Sequence, residues 1–198
     1  MARWEPDAHG RLLRAAIDLF AEQGYEATTT AQIAERAGLT RTTLFRLFPD
    51  KREILFQGQD ALVDLAVEAV RSAPAGASPL EALAAGVSAM TDAHAADRAA
   101  SAGLARLIAA SAELGERASS KRSSITAALQ AGLRERCGDA RRAGLLADVG
   151  VRAYYDGFDA WLAADDGRSL TAVVLEELED CRAALREVLA DRRPARRG

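Results

Sequence analysis

Apolar residues recur every three or four positions along almost the whole chain, and no segment alternates apolar and polar as a half-buried strand does. Leu12, Ala16, Leu19 and Phe20 make one stripe of a helix over residues 7–23, with Leu13 and Ile17 beside it and Gly24 as its stop. A long helix is expected over residues 51–72, carrying Ile54, Leu55, Leu62, Leu65, Val67 and Val70. Residues 72–79, SAPAGASP, break the pattern and read as a loop. Helices follow over residues 80–95, 98–111, 113–137, 143–164 and 169–191. The last carries Val174, Leu178, Cys181, Leu185 and Val188 at alternating spacings of four and three, a packing seam. The expected fold class is all-α.

Residues 29–51, TTAQIAERAGLTRTTLFRLFPDK, stand apart as two short helices around a tight turn. Gly38 is free to take positive φ at that turn, Ala34 is small enough for the helices to cross closely, and Leu44 is an apolar anchor in the second. Thr29 and Gln32 form a T-x-x-Q capping box for the first helix, and Thr40 caps the second. Pro49 ends the second helix. Between the caps, Leu44, Leu47 and Phe48 are apolar, which leaves Arg41, Thr42, Thr43 and Arg46 as hydrogen-bond donors suited to base edges and phosphates.

At these residues the chain resembles the TetR family of transcriptional regulators. Gly24-Tyr25-Glu26-Ala27-Thr28-Thr29, Ile33-Ala34, Ala37-Gly38-Leu39-Thr40, Thr43-Leu44-Phe45, Phe48 and Lys51 follow that family's DNA-binding pattern in order over the first quarter of the chain. The resemblance implies a helix-turn-helix domain over residues 1–56 and a helical regulatory and dimerisation domain over 57–191, and the basic residues of 192–198 read as a disordered tail. DNA contacts are expected from Thr29, Thr30, Gln32, Thr40, Arg41, Thr42, Thr43, Phe45, Arg46 and Lys51. Three departures matter: Phe45 lacks the aromatic hydroxyl that relatives often place on a phosphate, Leu47 stands for a His or Tyr, and Ala31 for an Arg. Arg41, Arg46 and Lys51 then carry more of the contact. An Arg3-Trp4 pair ahead of the first helix reads either as an arm reaching DNA or as a terminus packed on that helix.

Composition narrows the class without changing it. With 49% hydrophobic and 28% charged residues in 198, the chain can bury a generous core or two smaller ones. Its net charge of −3 argues against nonspecific coating of nucleic acid, while residues 1–56 hold eight basic and eight acidic side chains and are neutral. Cys137 and Cys181 have no metal-ligand spacing and read as small apolar residues, with a redox switch as the alternative. No apolar run nears the ~20 residues of a spanning helix, so no membrane association is expected and the location is expected to be cytoplasmic. Only His9 and His94 are histidines, and no phosphate loop, nucleophile elbow or metal cluster appears. No enzymatic activity, metal or cofactor is expected.

The remaining residues carry two expectations from the resemblance. A small, largely apolar effector would meet Val87, Met90, Thr91, His94, Leu107, Ile108, Leu129 and Tyr154, although each of these stripes also reads as ordinary core. A homodimer would form through Gly150, Gly157, Trp161, Val174, Leu178, Cys181 and Leu185, with Gly150 and Gly157 on one helical face; an internal core helix is the alternative. The expected function is a repressor that grips a near-palindromic double-stranded operator and is released by its effector. Two other readings stay open: a DNA-binding regulator with a solid core, and a helical interaction module that has lost DNA binding.

Overall fold

A computed structural model describes residues 7–94, 98–164 and 166–190 of the chain. The Arg3-Trp4 arm and the basic tail over 192–198 lie outside them. Among the described residues every regular element is a helix: α1 (Ala8–Gln23), α2 (Thr30–Arg36), α3 (Arg41–Leu47), α4 (Gln59–Ser72), α5 (Pro79–Ala93), α6 (Arg98–Ala110), α7 (Ala112–Cys137), α8 (Ala140–Ala163) and α9 (Leu170–Ala190). The caps of α2 and α3 are those expected from Thr29 and Thr40, whereas the box at α5 falls where the sequence suggested only a loop. Thr29 and Gln32 complete a reciprocal capping box at α2, Ser78 and Glu81 another at α5, and Pro79 occupies the first turn of α5, where no amide partner is lost.

The long helix expected from Lys51 begins eight residues later. Residues 51–58 are consecutive turns ending at Gly58 with φ 80, and α4 starts only at Gln59. The apolar spacing that suggested one helix is real, but Ile54, Leu55 and Phe56 are three buried residues in a row. A single helical face cannot bury three neighbours in the same core, so the backbone turns to do it.

The contacts divide the chain into two compact units. Of the described residues, the first takes in 7–60 and 98–121, the second 61–94, 122–164 and 166–190. In the first, Leu12, Phe20, Ile33, Leu44, Ile54 and Leu114 are among the buried centre. Leu104, Leu107 and Ile108 of α6 pack on that core.

The second unit packs α5 with α8 and α9 around Val70, Leu83, Val87, Leu129, Leu133 and Val174. Arg136 closes the end of α4 from α7: its guanidinium donates to the carbonyls of Val70 at 2.8 Å, Arg71 at 3.0 Å and Pro74 at 3.1 Å, and also to Ala73. These are the acceptors a helix C-terminus leaves without amide partners.

Five of the residues expected at a dimer interface are consumed inside this unit. A Cβ on Gly157 would lie 2.8 Å from the Val174 Cα, and one on Gly150 would lie 2.6 Å from a Leu83 methyl. Both glycines admit neighbouring helices of the same chain. Trp161, Val174 and Leu178 are buried, and the Trp161 indole donates to the Arg168 carbonyl at 3.2 Å. The seam is therefore largely an intrachain one. Cys181 is half-buried and Leu185 is exposed, so only its C-terminal end reaches the surface.

Candidate nucleic-acid interface

The reading head is built from α2, its turn and α3. Thr29 Oγ1 accepts from the Gln32 amide at 3.3 Å, while the Gln32 carboxamide oxygen accepts from the Thr29 amide at 2.8 Å. At the turn the Leu39 amide donates to Ala34 at 2.8 Å and the Gly38 amide to Glu35 at 2.9 Å. Gly38 has φ 66, and a Cβ there would meet an Arg11 guanidinium nitrogen at 2.7 Å. Thr40 then caps α3, accepting from the Thr43 amide at 3.1 Å.

The turn is clamped from α1 by a residue the sequence reading passed over. Arg11 Nε donates to the Ala37 carbonyl at 2.9 Å, and its terminal nitrogen donates to Ala37 and, at 3.2 Å, to Gly38. A charged group thus satisfies the loose carbonyls at the end of α2. Its one sequence signal is a cation at the edge of the first helix's apolar stripe. Arg11→Ala is expected to cost about 1–3 kcal/mol of stability and to speed amide exchange at Gly38 and Leu39. An unchanged denaturation midpoint and exchange rate would remove Arg11 from this role.

Leu44 is fully buried and Phe48 nearly so, which fixes how α3 lies on the core. The opposite face shows Arg41, Thr42, Phe45 and Arg46 to solvent, with Thr43 half-buried. Arg41 to Phe45 and Thr42 to Arg46 are each one turn apart, so the four make a compact exposed patch. Among the described residues neither Arg41 nor Arg46 has a carboxylate in salt-bridge range, whereas Arg36 on α2 is held by Glu22 through two bonds of 2.9 Å. Two uncompensated guanidinium groups and a hydroxyl on one short helix are suited to anionic, acceptor-rich partners. Thr29 and Gln32 are exposed at the start of α2 and Thr30 is half-buried there.

Lys51, expected on a phosphate, is occupied inside the head. Its ammonium donates to the carbonyls of Tyr25 at 2.8 Å and Thr28 at 3.1 Å, and lies 4.0 Å over the Tyr25 ring. The side chain pins the turn between α1 and α2. Arg52 is likewise committed, to Asp50 at 2.7 Å and Glu113 at 3.3 Å. The Tyr25 hydroxyl donates to the same Glu113 at 3.0 Å; burial, then the carboxylate, raise the phenol's pKa. Glu53 takes Arg117 and Lys121, and Lys121 also reaches Asp60 at 3.1 Å. Asp50, Arg52, Glu53, Glu113 and Arg117 line a charged groove of about 450 Å³ beside the residues that follow α3.

The residues expected to hold an effector are split between the units. Val87, Met90, Thr91, Leu129 and Tyr154 are buried in the second unit, while Leu107 and Ile108 pack in the first. The Thr91 hydroxyl has the Val87 and Ser88 carbonyls at 3.1 and 3.0 Å and the Thr171 hydroxyl at 2.9 Å, so its hydrogen-bonding capacity is met within the chain. His94 is half-buried and sets its ring edge-on to Phe158 at 5.6 Å; burial lowers its pKa. No cluster of three or more His, Cys, Asp or Glu side chains among the described residues is placed to hold a metal ion. No described helix is long and apolar enough to cross a membrane.

Comparison with known proteins converges on the same helices. Residues 12–57 match the family of bacterial regulatory proteins, tetR family. The HTH-type transcriptional regulator TcmR of Streptomyces glaucescens is 40% identical over 73 residues, 37% of this chain and 32% of that protein, so the likeness spans about a third of that relative. Among solved structures, Thermus thermophilus FadR, a TetR family transcriptional repressor in complex with lauroyl-CoA, is 26% identical over 96% of this chain and 99% of its own, with a TM-score of 0.51. The TetR transcriptional regulator of Nitrosomonas europaea, at 18% identity and a TM-score of 0.59 over 89% of this chain and 97% of its own, shares the fold. Residues 12–57 are thus a helix-turn-helix of the tetR family of bacterial regulatory proteins, set on an all-helical fold shared with TetR-family regulators.

Proposed function

We propose that the chain acts as a homodimeric repressor that binds a near-palindromic operator in a sequence-specific way and releases it on meeting a small effector with a large apolar part. The observation that carries the DNA-binding reading is α3: capped by Thr40, anchored by buried Leu44, and presenting Arg41, Thr42 and Arg46 with no carboxylate paired to either arginine among the described residues. Fluorescence anisotropy of the purified protein on duplexes from its own upstream region, read at several salt concentrations, tests it. Binding should weaken steeply with salt; an absence of any salt-sensitive binding would end this reading.

For the dimer, the surface end of α8 and α9 is the face we propose. Leu185, Val188 and Leu189 stand 46, 73 and 79% exposed there, and an apolar groove of about 230 Å³ runs between Val149, Arg152, Cys181, Ala184, Leu185 and Val188. A second copy would cover these side chains and set the two α3 helices about 34–36 Å apart, one turn of duplex. Leu185→Asp should turn a dimer into a monomer in sedimentation velocity and weaken operator binding. Full operator binding by a monomeric wild type would sink the two-fold arrangement.

For the effector, the likeness to FadR over most of both chains favours an acyl-CoA. Saturating lauroyl-CoA is expected to lower operator affinity about tenfold, within the usual range of such coupling. A competing reading, DNA binding without an effector, is favoured by the 1, 2 and 1% exposure of Val87, Met90 and Leu129, which pack as solid core. Unchanged operator affinity at saturating lauroyl-CoA, with no change in melting temperature, would favour that one.

A further inference from the structure

Phe45 is the residue of α3 that packing does not explain. The helix already has its core face in Leu44 and Phe48, 0 and 4% exposed, whereas the Phe45 ring is 47% exposed. Among the described residues of the first unit it is the one large apolar side chain left in solvent to this degree. It stands between Thr42 and Arg46 on the exposed face, and the Arg41 guanidinium lies 6.0 Å from its ring centre. An exposed phenyl ring has no hydrogen to give a phosphate oxygen, so it cannot serve as a backbone anchor.

The chemistry around the ring selects its occupant. Two guanidinium groups without carboxylate partners favour a polyanion over an apolar or basic protein surface. On the edge of a duplex that a helix can reach, the apolar group is the C5 methyl of thymine, which lies beside the O4 acceptor in the major groove. Arg41 and Phe45 are one helical turn apart, with Cβ atoms about 5–6 Å from one another, and successive bases on a strand are about 3.4 Å apart. Side chains so placed address base pairs within two steps of each other. The guanidinium beside the ring keeps the long arginine at that spacing.

We propose that Phe45 is a specificity-determining residue whose ring packs on the C5 methyl of one thymine per half-site, beside a guanine held by Arg41. This rests on the reading of α3 as a DNA-reading helix. It assigns base readout, rather than phosphate contact, to the position where this chain lacks an aromatic hydroxyl.

The test begins with duplexes selected from a random pool by the full-length protein. In the best half-site each thymine is replaced in turn by deoxyuridine, which removes only the methyl group. For the wild type, one replacement per half-site should weaken binding about three- to fivefold, the value of one buried methyl. Phe45→Ala should lose that discrimination, and Phe45→Tyr, which keeps the ring, should retain it. Equal affinity for thymine and uracil at every position of a tightly bound site would overturn the proposal while leaving DNA binding intact. So would discrimination that survives in a folded Phe45→Ala. If the alanine variant does not fold, the wild-type and tyrosine measurements decide. Failure of the wild type to select any duplex would instead remove the DNA-reading role together with this one.

Discussion

Arg46→Ala is expected to weaken operator binding about five- to 150-fold, the equivalent of the ~1–3 kcal/mol carried by one well-placed arginine on a base, with no change in melting temperature. Arg46 is exposed, has no carboxylate partner among the described residues, and sits on a helix whose attachment depends on Leu44 and Phe48 instead. Removing it takes nothing from the fold. Lys51→Ala makes the contrast. Its ammonium bonds two carbonyls and covers the Tyr25 ring, so its loss should lower stability as well as affinity. Anisotropy titrations paired with thermal melts separate the two variants. Full affinity in Arg46→Ala, or a matching fall in its melting temperature, would show that the guanidinium does not read DNA.

Gly157→Val is expected to destabilise the second unit by about 3 kcal/mol, at the upper end of overpacking costs, or roughly 6–12 °C in a chain of this size. The first atom added would already sit 2.8 Å from the Val174 Cα and 2.9 Å from one of its methyl groups. A backbone atom cannot rotate aside as a side chain can, so α8 and α9 must separate. The contact involves residues of one chain, and the loss should therefore be the same at low and high protein concentration. A concentration-dependent loss would place Gly157 at an interface between copies. A melting temperature equal to that of the wild type would mean that the helices are not held this closely.

The sequence carried much of the architecture, because its signals are local. Caps such as Thr29 and Thr40 act on amides two or three residues away, and an apolar stripe such as Leu12-Ala16-Leu19 records the period of its own helix. The helix-turn-helix was legible for the same reason: Ala34, Gly38 and Leu44 meet steric demands that arise within about ten residues of chain. The start of α4 is not legible in the sequence because Ile54, Leu55 and Phe56 suit either a helix or a series of turns, and only the core they enter distinguishes the two.

What the sequence determined alone was the set of helices, the caps of α2 and α3 and the identity of the head. What the tertiary structure decided was which charges are free and which apolar faces remain uncovered. Lys51 looks like a phosphate ligand until the Tyr25 and Thr28 carbonyls are seen to hold it, and nothing local in the sequence ties Arg11 to the turn it clamps. Gly157 and Val174 suit either an interface or an internal seam in the sequence, and only the packing makes them each other's partners. The physical reason is common to all of them. A side chain's availability depends on groups tens of residues away, and those are brought beside it only by the packing of one helix on another.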